Sequence, residues 1–260
     1  MKPKIVGILN YTPDSFSDGG IFFTLSTAIE RIEEMFEEGA DIVDIGAVST
    51  SYNKQLLTQE EEWERVKDLI SAVGPIYSKR LSFDTFHPLN AQKAIDLGVS
   101  MINDVNGAKD GHRVNVIKNN SHVKYVFMYS LVLPADKNVR AKNIQEIYDF
   151  GAVMKSKMVD QGISNKQLIF DPGIGFATDP KLSLEVISNL AIFKSLGLPV
   201  YVGHSRKSFL QQFSNIEDRD IETVAASLHM MSQGVSYLRV HNVAMHARAM
   251  RVWDSIAKAV

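Results

Sequence analysis

Polar residues recur in this chain where short apolar runs end, and their types point toward one chemistry. Asp84, Asn103 and Asp171 each close such a run. Together they could offer two carboxylates and an amide to the donor and acceptor edge of an aminopyrimidinone, whose adjacent NH and NH₂ groups supply the donors a buried carboxylate needs. Lys207, within Ser205-Arg206-Lys207-Ser208, could give its ammonium to the carbonyl oxygen or a ring nitrogen of the same heterocycle, and Phe176 could cover a ring face. Asn10, Arg239 and His241 form a second set, at the ends of the first and last runs. Arg239 and His241, read as a cationic pair, could hold a diphosphate, with a divalent metal on the Asn10 oxygen neutralising the remaining charge.

Each residue alone has a simpler reading. A single Asp closing a strand is often a helix N-cap, His241 could be a satisfied structural histidine, and the Arg206-Lys207 pair a solvated surface charge. The segment 12–20, dense in turn formers, could be a plain connector. Convergence separates these readings, so the fold must bring all the run ends to one place.

The elements that could do so are visible in the hydropathy pattern. Eight apolar runs lie at 5–9, 42–45, 81–83, 99–102, 123–128, 168–170, 199–202 and 237–240. Amphipathic stretches separate them: Leu25–Glu38 carries Ala28, Ile29, Ile32 and Met35 on one face, and 60–73 carries Trp63, Val66, Ile70 and Val73. Strands buried on both faces that alternate with helices predict parallel β/α units, and eight of them predict a single-domain (β/α)₈ TIM barrel over 1–260. In such a barrel the loops after the strand C-termini build the site. The polar segment 133–143 reads as a loop.

Bulk properties narrow the partner. A net charge of -2 and a pI near 6.4 provide no global field for a nucleic-acid backbone or an acidic membrane, so the expected partner is a small molecule. Cysteine is absent, which excludes disulfides, cysteine-ligated zinc and a thiol nucleophile, and suits a cytoplasmic protein. The apolar start at 5–9 is far shorter than a signal-peptide core or a membrane span.

These residues resemble the dihydropteroate synthase family, within the wider superfamily of pterin-binding barrels. The resemblance rests on Gly-Ile-Leu-Asn-Tyr-Thr-Pro-Asp-Ser-Phe-Ser-Asp-Gly-Gly at 7–20, Asp-Thr at 84–85 and Asn-Asp-Val at 103–105. It continues in Asp-Pro-Gly-Ile-Gly-Phe at 171–176, Ser-Arg-Lys-Ser-Phe at 205–209 and Arg-Val-His at 239–241. It implies a condensation of p-aminobenzoate with 6-hydroxymethyl-7,8-dihydropterin diphosphate in folate synthesis, releasing diphosphate. By the resemblance, Asp84, Asn103, Asp171 and Lys207 hold the pterin, with Val105, Met128, Phe176 and Gly203 lining its slot. Asn10 binds Mg²⁺, Arg239 and His241 hold the diphosphate, and Thr50 and Ser208 lie near the diphosphate or the aminobenzoate. Asn10, Lys207, Arg239 and His241 are then the catalytic set, and a homodimer paired through the late helices is implied.

The chain departs from the family pattern in three places. Ser51-Tyr52-Asn53-Lys54 stands where Arg-Pro-Gly usually follows Ser-Thr, Tyr129 replaces a histidine after Met128, and Ala177-Thr178 replaces Gly-Lys. These departures imply an intact pterin slot and a remodelled aminobenzoate pocket, with altered sensitivity to sulfonamides. Three rivals stay open. A methyltetrahydrofolate-dependent methyltransferase would need no diphosphate site, a pterin-binding paralogue would lack turnover, and a sugar-phosphate barrel would leave the ring-gripping residues unexplained.

Overall fold

The computed structural model describes residues 2–11, 24–47, 56–108, 111–134, 136, 138–214, 216 and 218–259. Strands and helices alternate along it. The first half holds β1 (Lys4–Asn10), α1 (Leu25–Glu38), β2 (Ile42–Gly46), α2 (Gln59–Tyr77), β3 (Leu81–Asp84), α3 (Pro88–Asp96), β4 (Met101–Asp104) and α4 (Gly111–Asn119). The second holds β5 (Lys124–Met128), α5 (Ile144–Asp160), β6 (Leu168–Asp171), α6 (Pro180–Ser188), β7 (Tyr201–Val202), α7 (Asp220–Ser232), β8 (Tyr237–Val240) and α8 (Val243–Lys258). Two 3₁₀ helices, Leu190–Leu196 and Ser208–Phe213, flank β7.

All the strand pairs are parallel, in the order β6-β5-β4-β3-β2-β1-β8-β7. A parallel bridge between Phe170 and Val200, with Phe170 N–H donating to Pro199 O at 3.0 Å, joins β6 to β7 and closes the ring. The chain is a (β/α)₈ TIM barrel. The fourth strand begins at Met101 rather than Val99, because the Val99 N–H closes α3 by donating to Ala94 O at 3.0 Å. The second helix runs past 73 to Tyr77, with Pro75 in its final turn where little of the ladder is lost.

Strand alternation divides the core into two clusters. Side chains such as Ile45, Phe83, Phe127 and Phe170 pack outward against the helices, where they meet Ala28, Ile32, Val66 and Ile70. Val6, Ile42, Met101, Val126, Ile169, Tyr201 and Tyr237 form a separate buried cluster, one residue from each of seven strands, filling the barrel lumen. β3 places Ser82 at this level, paired in register with Met101. Stepping two residues along β2 to β8 replaces this layer by Asp44, Asp84, Asn103, Met128, Asp171, Gly203 and Arg239, while the same step on β1 gives Ile8. A side chain repeats its direction every second residue, so these groups stand directly above the apolar floor.

The helices are placed by local chemistry. Thr24 caps α1 by accepting from Thr27 N–H at 3.2 Å, and Gly39 at φ 113° ends it. Thr58 and Glu61 form a reciprocal capping box at the start of α2. In the next turn the buried Glu62 carboxylate takes the Thr85 hydroxyl at 2.6 Å and Asn90 Nδ2 at 2.8 Å, tying the chain after Asp84 to α2. Asn143, Asp179 and Asn242 cap α5, α6 and α8.

One strand-end acid has a purely structural place. Asp104 points outward, fully buried, and takes the Tyr125 hydroxyl at 2.5 Å and Asn106 N–H at 2.8 Å. Arg113 Nη1 lies 2.5 Å from Asp104 Oδ2, an ion pair by distance though not aligned as a hydrogen bond. Removing one partner of a buried pair strands the other charge. Asp104→Asn should lower stability by about 3–5 kcal/mol, read from denaturant unfolding, and an unchanged midpoint would contradict this role.

Candidate active site

The polar layer above the lumen floor is crosslinked by its own charges. Arg239 donates from Nε to Asp44 Oδ2 at 2.6 Å and from Nη2 to Asp84 Oδ2 at 3.0 Å, joining β8 to β2 and β3. Asn103 Nδ2 donates to the same Asp44 oxygen at 3.1 Å. Asp171 Oδ1 accepts the Gly173 N–H at 2.7 Å in the turn that follows β6. That turn needs glycine twice. At Gly173 (φ +68°) a Cβ would fall 2.2 Å from Tyr129 O, and at Gly175 (φ +76°) it would fall 2.6 Å from Lys207 Cδ. The second glycine therefore lets Lys207 pass. Its Nζ donates to Ile174 O and stands 4.1 Å from the centre of the Phe176 ring.

Burial sets the protonation of this layer. It pushes the Asp84 carboxyl up to about 7, opposed by Arg239 and reinforced by Asp44, Glu62 and Asp104. It raises Asp171 to about 6, against Lys207, the Gly173 N–H and Arg239. The Lys207 ammonium is pushed down to about 7 by burial, with Asp171 pulling the other way. Burial also works against the charge of Arg239, but Asp44 and Asp84 outweigh it and hold the guanidinium above the ordinary arginine value. The shared neighbours place Asp84, Asp171, Lys207 and Arg239 in one electrostatic unit.

Asn10 and His241 lie at the rim, both half-buried. Asn10 ends β1 in register with Gly46, which itself pairs with Asp84. His241 follows β8, with its N–H 3.2 Å and its Nδ1 2.9 Å from Ser205 Oγ. Its imidazole is pushed down to about 3 by burial, then by Arg206 and Arg239. The expected cationic pair is thus one cation, Arg239, beside a neutral imidazole. Arg206 is held elsewhere, in a two-pronged pair with Asp220 at 2.8 and 2.9 Å.

The residues picked out in the sequence come together to a large extent. Asp84, Asn103, Asp171, Lys207 and Arg239 form the layer, with Phe176 against Lys207. Met128 pairs in register with Asp171, and its Cγ is 3.4 Å from the Cβ position at Gly173. A Cβ at Gly203 would stand 3.7 Å from Arg239 Cδ and 3.9 Å from Asp171 Oδ2, so the glycine opens onto both. Val105 is buried two residues beyond Asn103, and Ser208 is exposed at the start of its 3₁₀ helix. Thr50, the 51–54 departure and the 12–20 part of the long motif fall outside the described residues.

Two departures change meaning. Tyr129 faces away from the layer: its hydroxyl donates to Glu146 Oε1 at 2.8 Å and its ring meets Phe150 edge-on. Thr178 is buried, accepting the Gly175 N–H at 2.8 Å and bonding Ser183 Oγ at 2.7 Å, so it braces the loop that carries Phe176. Asp44 and Ser205 stand among the polar residues at the strand ends in the sequence, but sequence reasoning gave neither a role. The signal for Asp44 was a carboxylate inside the apolar run at 42–45; Ser205 had none beyond its place beside Arg206-Lys207.

The chain matches the pterin binding enzyme family over residues 6–241. It is 34% identical over 260 residues to a dihydropteroate synthase of Clostridium beijerinckii, covering 99% of this chain and 95% of that protein. It is 33% identical to one of Haemophilus influenzae, with the same coverage. Among solved structures it resembles the Yersinia pestis dihydropteroate synthase, determined with a sulfonamide drug complex, with a TM-score of 0.91 at 28% identity, covering 100% of this chain and 95% of that one. Its TM-score with the Clostridium difficile enzyme, determined in the presence of pteroic acid, is 0.88 at 33% identity, covering 98% and 97%. With its barrel, its polar lumen layer and these likenesses, the chain belongs to the pterin binding enzymes, among the dihydropteroate synthases.

Proposed function

We propose that this protein joins p-aminobenzoate to the exocyclic methylene of 6-hydroxymethyl-7,8-dihydropterin diphosphate, forming 7,8-dihydropteroate and releasing diphosphate. The observation that carries the reading is the crosslinked layer of Asp84, Asn103, Asp171, Lys207 and Arg239 over an apolar floor. Asp84 and Asp171 accept the N–H groups of the pyrimidinone edge, Asn103 adds an amide, and Lys207 meets the ring carbonyl or a ring nitrogen. Phe176, with Met128, Val105 and Gly203, bounds the ring faces.

The bond that breaks joins the methylene carbon to a diphosphate oxygen, and the bond that forms joins that carbon to the arylamine nitrogen. The dihydropterin is electron-rich and can carry positive charge at the methylene as the diphosphate leaves, so the protein's main task is to stabilise the departing anion. Arg239 supplies a fixed positive charge, and the neutral His241 can take up a proton once an anion lies beside it. The attacking amine is neutral and sheds its proton after the bond forms, so no strong base is needed.

The Asn10 position fits a magnesium ion held mainly by substrate. Its amide oxygen is a hard, neutral ligand, and among the described residues no group of three or more His, Cys, Asp or Glu could hold a metal. Mg²⁺ prefers phosphate oxygens and water with few protein ligands, and bound there it would offset diphosphate charge. By the family resemblance, Thr50 and Ser208 serve the diphosphate or the aminobenzoate; Thr50 and the 51–54 departure lie outside the described residues. A cytoplasmic setting suits a cysteine-free protein; no helix of the described residues is long and apolar enough to cross a membrane.

The pairing of two copies belongs to the same reading. α7 and α8 bury Thr223, Met230, Val243 and Met250 inward, yet Ile221, Val252 and Ile256 are about two-thirds exposed, and Phe213 is 60% exposed nearby. These apolar side chains suit a homodimer. Sedimentation equilibrium should return twice the chain mass at micromolar concentration, and a single species of chain mass would contradict it.

The decisive assay mixes both substrates with Mg²⁺ and follows dihydropteroate. Product is expected with Mg²⁺ and is lost on chelation; pterin binding without product would favour the paralogue that lacks turnover. Ionised Asp84 and Asp171 accept ring N–H groups, and protonation removes that capacity. Thus kcat/KM for the pterin substrate should fall as pH drops through about 7 to 6. A profile flat from about pH 5 to 8 would count against the assignment.

A further inference from the structure

Asp44 does not belong to the set of groups assigned to the ring or the diphosphate, yet two of those groups depend on it. It is fully buried on β2, and its Oδ2 receives both Arg239 Nε and Asn103 Nδ2, at 2.6 and 3.1 Å. We propose that Asp44 is a positioning residue of the pterin site, fixing the amide of Asn103 and the plane of the Arg239 guanidinium before substrate arrives. The proposal rests on the pterin reading above and adds a residue to it.

The orientation of Asn103 follows from donor and acceptor type. An ionised carboxylate only accepts, so Asn103 must turn its NH₂ toward Asp44 and its Oδ1 the other way. Asn103 then reaches the heterocycle as an acceptor, matching the N–H donors of a pyrimidinone edge, whereas an unconstrained amide could present either end. For Arg239, two carboxylates on different strands hold two N–H groups of one rigid fork. With Asp84 alone, the guanidinium could swing about a single contact.

The floor beneath makes the carboxylate costly and informative. Asp44 Oδ1, Ser82 Oγ and the Tyr201 hydroxyl are buried without a hydrogen-bond partner among the described residues, and Asp44 pairs in register with Ser82. A carboxylate with one oxygen so placed is held against a desolvation cost. Packing alone would be served as well by an apolar side chain of similar volume. The compensation lies in the two contacts its other oxygen makes.

Asp44 also acts on Asp84 through the shared guanidinium. Arg239, Asp44, Glu62 and Asp104 surround Asp84 from β8, β2, α2 and β4, and Lys207 also feels its charge. Burial raises Asp84 most; Asp44 raises it further and competes for Arg239. Neutralising Asp44 removes a like charge and leaves Arg239 to Asp84, and both effects lower the Asp84 pKa. The acid limb of pterin binding then moves to lower pH, a change that simple loosening of the fold would not produce.

Calorimetry with 6-hydroxymethyl-7,8-dihydropterin diphosphate on the full chain, wild type against Asp44→Asn, tests this. The variant should bind about tenfold more weakly or worse near pH 7.5, with its acid limb displaced downward. Its KM for p-aminobenzoate at saturating pterin should stay within about twofold. Ser82→Ala removes a neighbouring floor hydroxyl without touching the clamp and should bind as wild type does. If Asp44→Asn gives no folded protein, Asp44→Ser is read in the same way. An unchanged affinity and acid limb in the neutral variant, or an equal loss in Ser82→Ala, would overturn the proposal. A wild-type protein that binds no pterin would instead overturn the functional reading.

Discussion

The fork of Arg239, held between Asp44 and Asp84 inside the barrel, is the interaction on which the rest of the site depends. Three charges in so buried a layer would each be costly alone, and a guanidinium between two carboxylates makes them tolerable. Two carboxylates thus share one guanidinium, beside the Asp171 and Lys207 pair. Burial holds Asp84, Asp171 and Lys207 near pKa values of about 7, 6 and 7, far from those of free side chains, with their charged neighbours only partly offsetting it. A ligand bringing its own donors and acceptors into the layer would settle which groups carry protons.

The barrel supplies that layer through a change of chemistry along its strands. Apolar inward residues fill the lumen at one level, and two residues later five of the strands present polar or charged side chains, Asp44, Asp84, Asn103, Asp171 and Arg239. Strand register fixes their heights: Gly46 lies beside Asp84, Asp84 beside Asn103, and Met128 beside Asp171. The loops refine the arrangement. The Glu62, Thr85 and Asn90 network holds the chain after Asp84, Gly175 makes room for Lys207, and Ser205 fixes His241.

Much of this was legible because strand ends, β/α alternation and the residue types at the ends are properties of the sequence. Asp84, Asn103, Asp171, Lys207 and Arg239 follow from that logic. The rest turned on which way single side chains point and on whom they meet. Asn103 and Asp104 are adjacent and equally buried, yet one faces the lumen and the other Arg113, because both faces of a barrel strand are covered and hydropathy does not distinguish them. Tyr129 reads as a change beside the slot but packs outward on Phe150. The neutrality of His241 comes from burial and from Arg206 and Arg239, neighbours that only the folded chain assembles.

The central claim is that Asp84 and Asp171, 87 residues apart in the chain, grip one ligand through a common set of cations. A double-mutant cycle on pterin diphosphate affinity, with Asp84→Asn, Asp171→Asn and the pair, tests it most directly. Each single change should weaken binding by about tenfold or more, and the double change should cost much less than the product of the two. Small, strictly independent effects would mean that the two carboxylates do not share a ligand.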